Sequence, residues 1–255
     1  CSSKYATSTT NTTVAANWTD SISVKGKLFT SLYQQKAAEY RALCFQAFNI
    51  ARLRLDNYQS TNTKPRAIIT DIDETVLDNS PYAVSQAFQG KEYEPDSWMN
   101  WTSKSAADTV PGAVSFLRYA ASRGVEIFYI TNRKEKEREG TLKNLRDFGF
   151  PYADTLHYIG RKDVSSKESR RQVIRNTHEV VLLMGDNLGD FSSLFDDKTY
   201  EERLNNTNIS ETDFGSRFIV LPNPNYGDWE GALFQYNRLT LAQKDSVIRT
   251  AVKNY

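Results

Sequence analysis

Runs of consecutive apolar residues, rather than alternating apolar and polar ones, mark the strands that this chain predicts. Four such runs occur, at residues 67–69, 125–130, 180–184 and 217–221. Continuous apolar runs of this length are typical of strands that are buried on both faces of a parallel sheet. The sequence therefore predicts a sheet whose two faces are both covered.

Helical patterns fill the intervals between these runs. They cover residues 111–124, 134–149 and 165–176, and glycines close the first two of them. A longer helical pattern, predicted as one helix that is straight or bent, precedes the first strand at about residues 28–55. Strands that alternate with helices favour an α/β fold, in which ligands gather beyond the carboxyl ends of the strands.

The segment 80–109 is rich in aromatic residues and fits neither a strand nor a simple crossover helix, and its position predicts a lid. The sequence thus predicts a polar N-terminal tether at 1–24 and a single domain at 25–255. Its α/β core covers about 65–80 and 110–225. The lid comprises the N-terminal helix 28–55 and the segment 80–109.

Composition narrows the range of ligands. The 255 residues are 39% hydrophobic, which suits one large α/β domain. The 32 basic and 31 acidic residues leave a formal charge of +1, so nothing favours a nucleic-acid polymer as partner. No apolar run approaches the roughly 18 residues of a membrane span. A small molecule is the expected ligand.

Polar residues follow three of the predicted strands directly, and they should meet at one edge of the sheet. A lysine at the head of the third crossover helix can join them. In chain order the candidates are Asp71 and Asp73, then Thr131, Asn132 and Arg133, then Lys167, and finally Asp186 and Asp190.

These residue types suit the transfer of a phosphoryl group. Carboxylates such as Asp71 and Asp186 suit Mg²⁺, a hard cation that prefers oxygen ligands. A threonine hydroxyl, a lysine ammonium and backbone amides can hold the phosphoryl oxygens. Asp71 can attack phosphorus as a nucleophile, and Asp73 can act as general acid and base. Both must flank one phosphorus, so the backbone is expected to curl at residues 72–76.

Each residue alone also has a structural explanation. Aspartates often close strands in turns, and Thr131 and Asp190 could each cap a helix. Lys162 lies close enough in sequence to replace Lys167. The two histidines, His157 and His178, fall outside the motifs, which argues against a histidine-based mechanism.

The motifs "DIDETVLDN", "YITNR", "SSKESR" and "GDNLGDF" resemble, in order, the four motifs of the haloacid dehalogenase-like superfamily. More narrowly, "AAEYRALCFQAFNIAR", "TDIDETVLDNSPY", "VPGAVSFLRYA", "FYITNRK" and "LPNPNYGDWEGAL" resemble the class C bacterial acid phosphatases, the lipoprotein e group. The resemblance covers roughly residues 28–236. It implies a Rossmann-like, haloacid dehalogenase-like parallel sheet flanked by helices, with a small, mostly helical lid.

The resemblance also implies an activity, which is Mg²⁺-dependent hydrolysis of phosphomonoesters at acid pH, with nucleoside 5′-monophosphates as substrates of a 5′-nucleotidase. It implies that the catalytic residues are Asp71, Asp73, Thr131 and Lys167. The implied metal ligands are Asp71, Asp186, Asp190 and, through its carbonyl, Asp73. The implied substrate-binding residues are Asn132, Arg133, Trp98, Trp101 and Tyr226. Stacking of a base on an aromatic side chain contributes about 1–3 kcal/mol and tolerates many bases. The tryptophans could instead simply pack the lid against the core.

The resemblance further implies a location and an assembly. Cys1, followed by a Ser/Thr/Asn-rich segment, resembles the lipidated cysteine that a bacterial lipoprotein carries once its signal peptide is removed. An artificial chain start, or a disulfide with Cys44, would also explain Cys1. The expected location is the bacterial cell envelope, where the protein would be lipid-anchored at the outer membrane or lie in the periplasm. Cys1 would be its only attachment to the membrane. The expected assembly is a homodimer.

Two other functions remain as alternatives. A signalling receiver domain also gathers aspartates, a threonine and a lysine around Mg²⁺. It is about half this length, however, it carries the phosphorylated aspartate after a later strand and an acidic pair after the first, and the Asp-Asn-Leu-Gly-Asp segment that ends at Asp190 does not fit it. A non-catalytic surface lipoprotein that binds nucleotides would keep the pocket without turnover. Turnover of an aryl phosphate separates both alternatives from a phosphatase.

Overall fold

A five-stranded parallel sheet forms the centre of the computed structural model, which describes residues 20–60 and 62–255. A separate two-stranded antiparallel pair joins Leu77 to Thr109. Numbered along the chain, the strands are β1 (Arg66–Thr70), β2 (Leu77–Asp78), β3 (Asp108–Thr109), β4 (Glu126–Lys134), β5 (Tyr158–Arg161), β6 (Glu179–Gly185) and β7 (Phe218–Val220). The order in the large sheet is β5–β4–β1–β6–β7, with β1 at the centre.

The four apolar runs of the sequence form β1, β4, β6 and β7, which confirms the predicted α/β fold. Successive residues of β1 and β4 point to opposite faces of the sheet. Ile68 and Ile127 join the core beneath the second and fifth helices, whereas Ile69 and Phe128 join the core on the other face. Both faces are therefore apolar, which explains why the runs do not alternate.

Helices cover both faces of the sheet. They are α1 (Ile22–Lys36), α2 (Ala38–Asp56), α3 (Ser80–Phe88), α4 (Pro95–Thr102), α5 (Ala113–Ser122), α6 (Arg138–Asp147), α7 (Glu168–Thr177), α8 (Tyr200–Ile209), α9 (Asp228–Leu233) and α10 (Leu241–Ala251). The three predicted crossover helices are α5, α6 and α7. Gly124 and Gly149 follow α5 and α6 with positive φ angles of 73° and 71°, the left-handed conformation that favours glycine at a helix end.

The long N-terminal helix predicted at residues 28–55 is two helices. Ala37 separates α1 from α2 with an extended backbone, at φ −77° and ψ 127°. The aromatic segment 80–109 contains α3 and α4, so it is mostly helical. Its action as a lid stays a prediction.

The N-terminal end of the described chain is tied to the C-terminal helix. Ser21 caps α1, and the Asp245 carboxylate accepts hydrogen bonds from the Ser21 hydroxyl and from the amides of Ile22 and Ser23. Helix α1 therefore begins inside the segment predicted as a tether. Cys1 and tether residues 2–19 lie outside the described residues. Cys44 is a fully buried free thiol in α2. No helix among the described residues is both long enough and apolar enough to span a membrane.

Candidate active site

Three carboxylates meet at the carboxyl ends of the two central strands. Asp71 follows β1, whereas Asp186 and Asp190 follow β6. Each offers one oxygen, and these three oxygens lie within 4.8 Å of one another. The strand endings that the sequence predicted to converge do so here.

Lys167 completes this cluster from the N-terminal end of α7. Its buried ammonium contacts the Asp71 carboxylate and lies 2.6 Å from Asp190 Oδ1. Burial disfavours the charged ammonium, but the carboxylates of Asp190 and Asp71 outweigh that effect and raise the pKa of Lys167. Lys162, the alternative lysine, is exposed. The geometry thus favours Lys167.

Ionisation of the crowded carboxylates is energetically unfavourable without a further cation. Burial, followed by the charges of Asp190 and Asp73, raises the pKa of Asp71 to about 7, although Lys167 opposes the shift. Burial, followed by the charges of Asp190 and Asp71, holds the pKa of Asp186 well above its usual range. Closely spaced oxygens with unmet negative charge fit a hard divalent cation such as Mg²⁺. Asp71, Asp186 and Asp190 would hold it.

The raised pKa values of these carboxyl groups predict that the stability of the metal-free protein depends on pH. Asp71 and Asp186 have raised pKa values in the folded state, so the folded chain binds more protons than the unfolded chain. The free energy of unfolding should therefore fall as the pH rises from about 4 through about 7. Urea denaturation in chelator at about pH 5 and about pH 8 measures the change. Added Mg²⁺ should flatten the slope, and equal stability at both pH values without metal would contradict this account.

The backbone curls immediately after β1, as the proposed chemistry requires. The amides of Val76 and Leu77 both donate to the carbonyl of Ile72, each at 2.9 Å. Glu74 adopts a positive φ of 56°, a conformation that is uncommon for a residue with a side chain. The curl turns Asp73 out of the regular strand direction, towards the end of β4.

Asp73 is held by two side chains. Arg133 Nη2 donates to Asp73 Oδ1 at 2.7 Å, and Asn79 Nδ2 donates to the same oxygen at 2.8 Å. The Arg133 side chain is only 1% exposed. In this structure Arg133, predicted as a substrate-binding residue, orients Asp73. Only its place at the end of the first motif could have suggested Asn79.

The loop after β1 carries a further buried carboxyl group, that of Glu74. Glu74 accepts hydrogen bonds from the Tyr226 hydroxyl and, at 2.8 Å, from the Asn79 amide. Burial, and then the charge of Asp73, raises the pKa of Glu74 to about 8. Glu74 thereby links the loop after β1 to Tyr226, one of the predicted substrate-binding residues.

The Asp186 carboxylate is oriented by two neighbours. Asn223 Nδ2 donates to Asp186 Oδ2 at 2.8 Å, and Thr75 Oγ1 donates to Asp186 Oδ1 at 3.2 Å. Asn223 lies in the loop after β7 and is absent from the predicted set. Only its position within "LPNPNYGDWEGAL" could have suggested it.

Asp190 both closes a short 3₁₀ helix (Leu188–Asp190) and faces Lys167. Its Oδ2 accepts the amide of Asn187 at 3.0 Å. The cap considered for Asp190, at the start of a helix near Phe191, is wrong, because the next short helix begins at Ser193 and is capped by Ser192. The fully buried Arg171 donates to the carbonyls of Gly189 and Asp190 and fixes this turn. Asp190 therefore stabilises this turn through one oxygen while its other oxygen faces Lys167.

Asp190 can approach β6 because residue 185 has no side chain. A Cβ at Gly185 would lie 2.6 Å from Asp190 Cγ. Gly185→Ala should therefore displace Asp190, weaken metal binding by about 10–100-fold and destabilise the fold by about 1–3 kcal/mol. The Mg²⁺ concentration at half-maximal activity and urea denaturation measure the two effects. Gly26→Ala is the matched control, since nothing lies within 4 Å of its added Cβ. An unchanged Mg²⁺ requirement in Gly185→Ala would contradict this role.

A cavity of about 700 Å³ opens over the carboxylates. Asp71, Asp73 and Lys167 lie at its polar end, and Tyr226 lines it as well. Tyr82 and Trp98 line it from α3 and α4, their ring centroids 5.1 Å apart. The volume suits a nucleotide-sized ligand.

The remaining predicted residues take different positions. Asn132 lines the cavity, and its amide oxygen accepts a hydrogen bond from Arg170. Thr131 is fully buried, and its hydroxyl accepts the Arg133 amide at 3.1 Å. The Trp101 indole donates to Asn79 Oδ1 at 2.8 Å and packs against the core. Trp98 is thus better placed than Trp101 to contact a ligand.

Comparison with known families and structures gives consistent matches. A family described as "HAD superfamily, subfamily IIIB (Acid phosphatase)" matches residues 1–229. A structure of the class C acid phosphatase from Bacillus anthracis is 41% identical, covering 91% of this chain and 99% of that one with a TM-score of 0.87. A structure of the class C acid phosphatase from the same organism with tungstate bound is 40% identical, covering 92% and 99% with a TM-score of 0.88.

Two plant proteins match over shorter stretches. The stem 31 kDa glycoprotein of Glycine max is 27% identical over 164 residues, which is 62% of this chain and 58% of that protein. Acid phosphatase 1 of Solanum lycopersicum is 24% identical over 128 residues, which is 48% of this chain and 50% of that protein. The alignments thus span about half of each plant protein.

Proposed function

The chain belongs to the acid phosphatases of the HAD superfamily, subfamily IIIB, and we propose that it hydrolyses phosphomonoesters through an aspartyl-phosphate on Asp71, with Mg²⁺ as cofactor. Nucleoside 5′-monophosphates are the proposed substrates. The observation that carries this proposal is the convergence of Asp71, Lys167, Asp186 and Asp190 at the end of one large cavity.

Asp71 is the proposed nucleophile. One carboxylate oxygen attacks phosphorus, and the bond between phosphorus and the ester oxygen breaks as the aspartyl-phosphate forms. Lys167, already in contact with Asp71, is positioned to bind a phosphoryl oxygen in place of that contact. A positive charge held in a buried site stabilises the developing negative charge more strongly than it would in water.

Asp73 is the proposed general acid and base. In the first step it gives its proton to the leaving alcohol, and in the second it takes a proton from the water that attacks the aspartyl-phosphate. This second step releases inorganic phosphate and restores Asp71. Arg133 and Asn79 hold the Asp73 side chain in one orientation for both transfers.

Mg²⁺, when bound, would neutralise the charge of the carboxylates and of the phosphate oxygens. Asp71, Asp186 and Asp190 fit this role by the chemistry and spacing of their oxygens. Asn223 and Thr75 orient the Asp186 carboxylate for this role.

The aromatic wall of the cavity supports nucleotides as substrates. Trp98, Tyr82 and Tyr93 form a cluster, with centroid separations of 5.1 to 6.4 Å. An exposed ring face can stack against a base without reading its edge. We therefore propose broad base tolerance. The tungstate in the Bacillus anthracis relative is an oxyanion of the same tetrahedral shape as phosphate.

Phosphate release from a panel of substrates tests this proposal. The panel contains the common nucleoside 5′-monophosphates, a sugar phosphate and an aryl phosphate, each with Mg²⁺. Repeated turnover is expected, with nucleotides of different bases hydrolysed at similar kcat/KM. A receiver domain would stop after one phosphate per chain, and a binding protein would release none. The family membership favours the hydrolase over both alternatives.

Attachment to a bacterial envelope through a lipidated Cys1, and assembly as a homodimer, are proposed from the resemblance alone. Mass spectrometry of the N-terminal peptide from a membrane fraction would test the first. An unmodified cysteine in that peptide would overturn it. Sedimentation of the purified protein would test the second, and a monomer at micromolar concentration would overturn it.

A further inference from the structure

Six basic residues line the cavity, and five of them have a carboxylate within reach. Lys167 contacts Asp71 and Asp190, Arg133 binds Asp73, Lys27 binds Glu230, Lys244 binds Glu92, and Lys91 lies 3.7 Å from Glu94. The sixth is Arg161. Within residues 20–60 and 62–255, its guanidinium has neither a carboxylate within 4 Å nor a hydrogen bond.

Arg161 lies at the carboxyl end of β5, on the same edge of the sheet as the carboxylates. β5 is two strands away from β1 in the sheet, and the backbone of Arg161 pairs with Lys134 of β4. Neighbouring strands are about 4.8 Å apart, so Arg161 lies on the order of 10 Å to the side of Asp71. The backbones of Arg161 and Asp71 are thus too far apart to bind the same phosphoryl group. A nucleotide is long enough to span the distance between them.

Two polar side chains, Tyr93 and Arg170, interact electrostatically with Arg161. The Tyr93 phenol is near it, since Arg161 opposes the upward pKa shift that burial imposes on Tyr93. Arg170 is also near, because the charge of Arg161 adds to burial in lowering the pKa of Arg170. Arg170 is itself occupied, donating to the Thr131 carbonyl at 2.6 Å and to Asn132 Oδ1 at 2.7 Å.

A half-buried guanidinium that lines the cavity and has no carboxylate partner among the described residues is a strong site for a phosphate, since arginine can donate two parallel hydrogen bonds to one. We propose that Arg161 binds a second phosphate of the substrate, so that nucleoside bisphosphates are bound in preference to nucleoside monophosphates. This inference rests on the proposed function. Tyr93 interacts with Arg161 and packs against Trp98 with a centroid separation of 6.0 Å, so the base can stack on these rings while the first phosphate lies at Asp71.

Binding to a variant that cannot turn over the ligand tests the inference directly. In the Asp71→Asn protein with Mg²⁺, calorimetry should give a Kd at least about 10-fold lower for adenosine 3′,5′-bisphosphate than for adenosine 5′-monophosphate. Adding Arg161→Gln should reduce that ratio to less than about threefold, whereas Arg161→Lys should keep part of it. Lys162→Gln is the matched control, because Lys162 is the next residue, is exposed and should leave the ratio unchanged.

Equal affinities for the two ligands, or no binding of either, would overturn the inference. An equal loss of affinity for both ligands in Arg161→Gln would also overturn it, because Arg161 would then hold the phosphate that is cleaved. Failure of the proposed function looks different. In that case the unsubstituted protein would release no phosphate from adenosine 5′-monophosphate, whatever the binding ratio.

Discussion

Replacing Asp71 by asparagine is expected to lower kcat for phosphate release by about 10⁴-fold or more, while the protein stays folded. The amide keeps the shape of the carboxylate but is a poor nucleophile, and loss of a covalent nucleophile has effects of this order. Lys167 keeps its contact with Asp190 in this variant. Burial already raises the pKa of Asp71 to about 7, so a neutral group at this position should not destabilise the metal-free fold.

Phosphate release and urea denaturation of Asp71→Asn measure these two expectations. Asp163→Asn is the matched control, since Asp163 is exposed. It should keep full activity. Release of phosphate from nucleotides by Asp71→Asn at the unsubstituted rate would refute the mechanism.

Removal of divalent cations is expected to reduce activity by about 100-fold or more, and added Mg²⁺ should restore it. Three carboxylate oxygens within 4.8 Å repel one another and a phosphate, and the single ammonium of Lys167 does not offset that charge. Burial, and then the charges of Asp190 and Asp71, keep the pKa of Asp186 well above its usual range without metal.

A chelator titration followed by Mg²⁺ addition measures this dependence. Asp186→Asn should raise the Mg²⁺ concentration needed for half-maximal activity by about 10-fold or more. Asp186 is suited to this test because, among the described residues, its side chain accepts hydrogen bonds from Asn223 and Thr75 rather than from Lys167, so the change alters the metal site selectively. Full activity in chelator would contradict the proposed role of the carboxylates.

The sequence predicted the parts of the fold that depend on local pattern. Buried strands leave continuous apolar runs, and a polar residue directly after such a run must lie at the carboxyl edge of the sheet. Asp71 and Asp186 could therefore be placed together from the sequence. Lys167 could be placed because the helix that carries it begins beside the same edge.

The parts that escaped prediction depend on tertiary contacts. β5 has four residues, only one of them buried, so it leaves no apolar run. The break between α1 and α2 falls at Ala37, and neither glycine nor proline marks it. Arg133 was predicted to bind substrate, but its side chain donates a hydrogen bond to Asp73. This contact forms because the ends of two strands meet in the folded chain, which the sequence pattern does not show. Asn223 reaches Asp186 across 37 positions of sequence.

Trapping the covalent intermediate tests the central claim most directly. The variant Asp73→Asn, mixed with an aryl phosphate whose leaving group needs no proton, should form the aspartyl-phosphate but hydrolyse it slowly. Acid quenching, digestion and mass spectrometry should then find one added phosphoryl group on the peptide that contains Asp71. An unmodified Asp71 peptide in a variant that still releases the aryl alcohol would contradict the account.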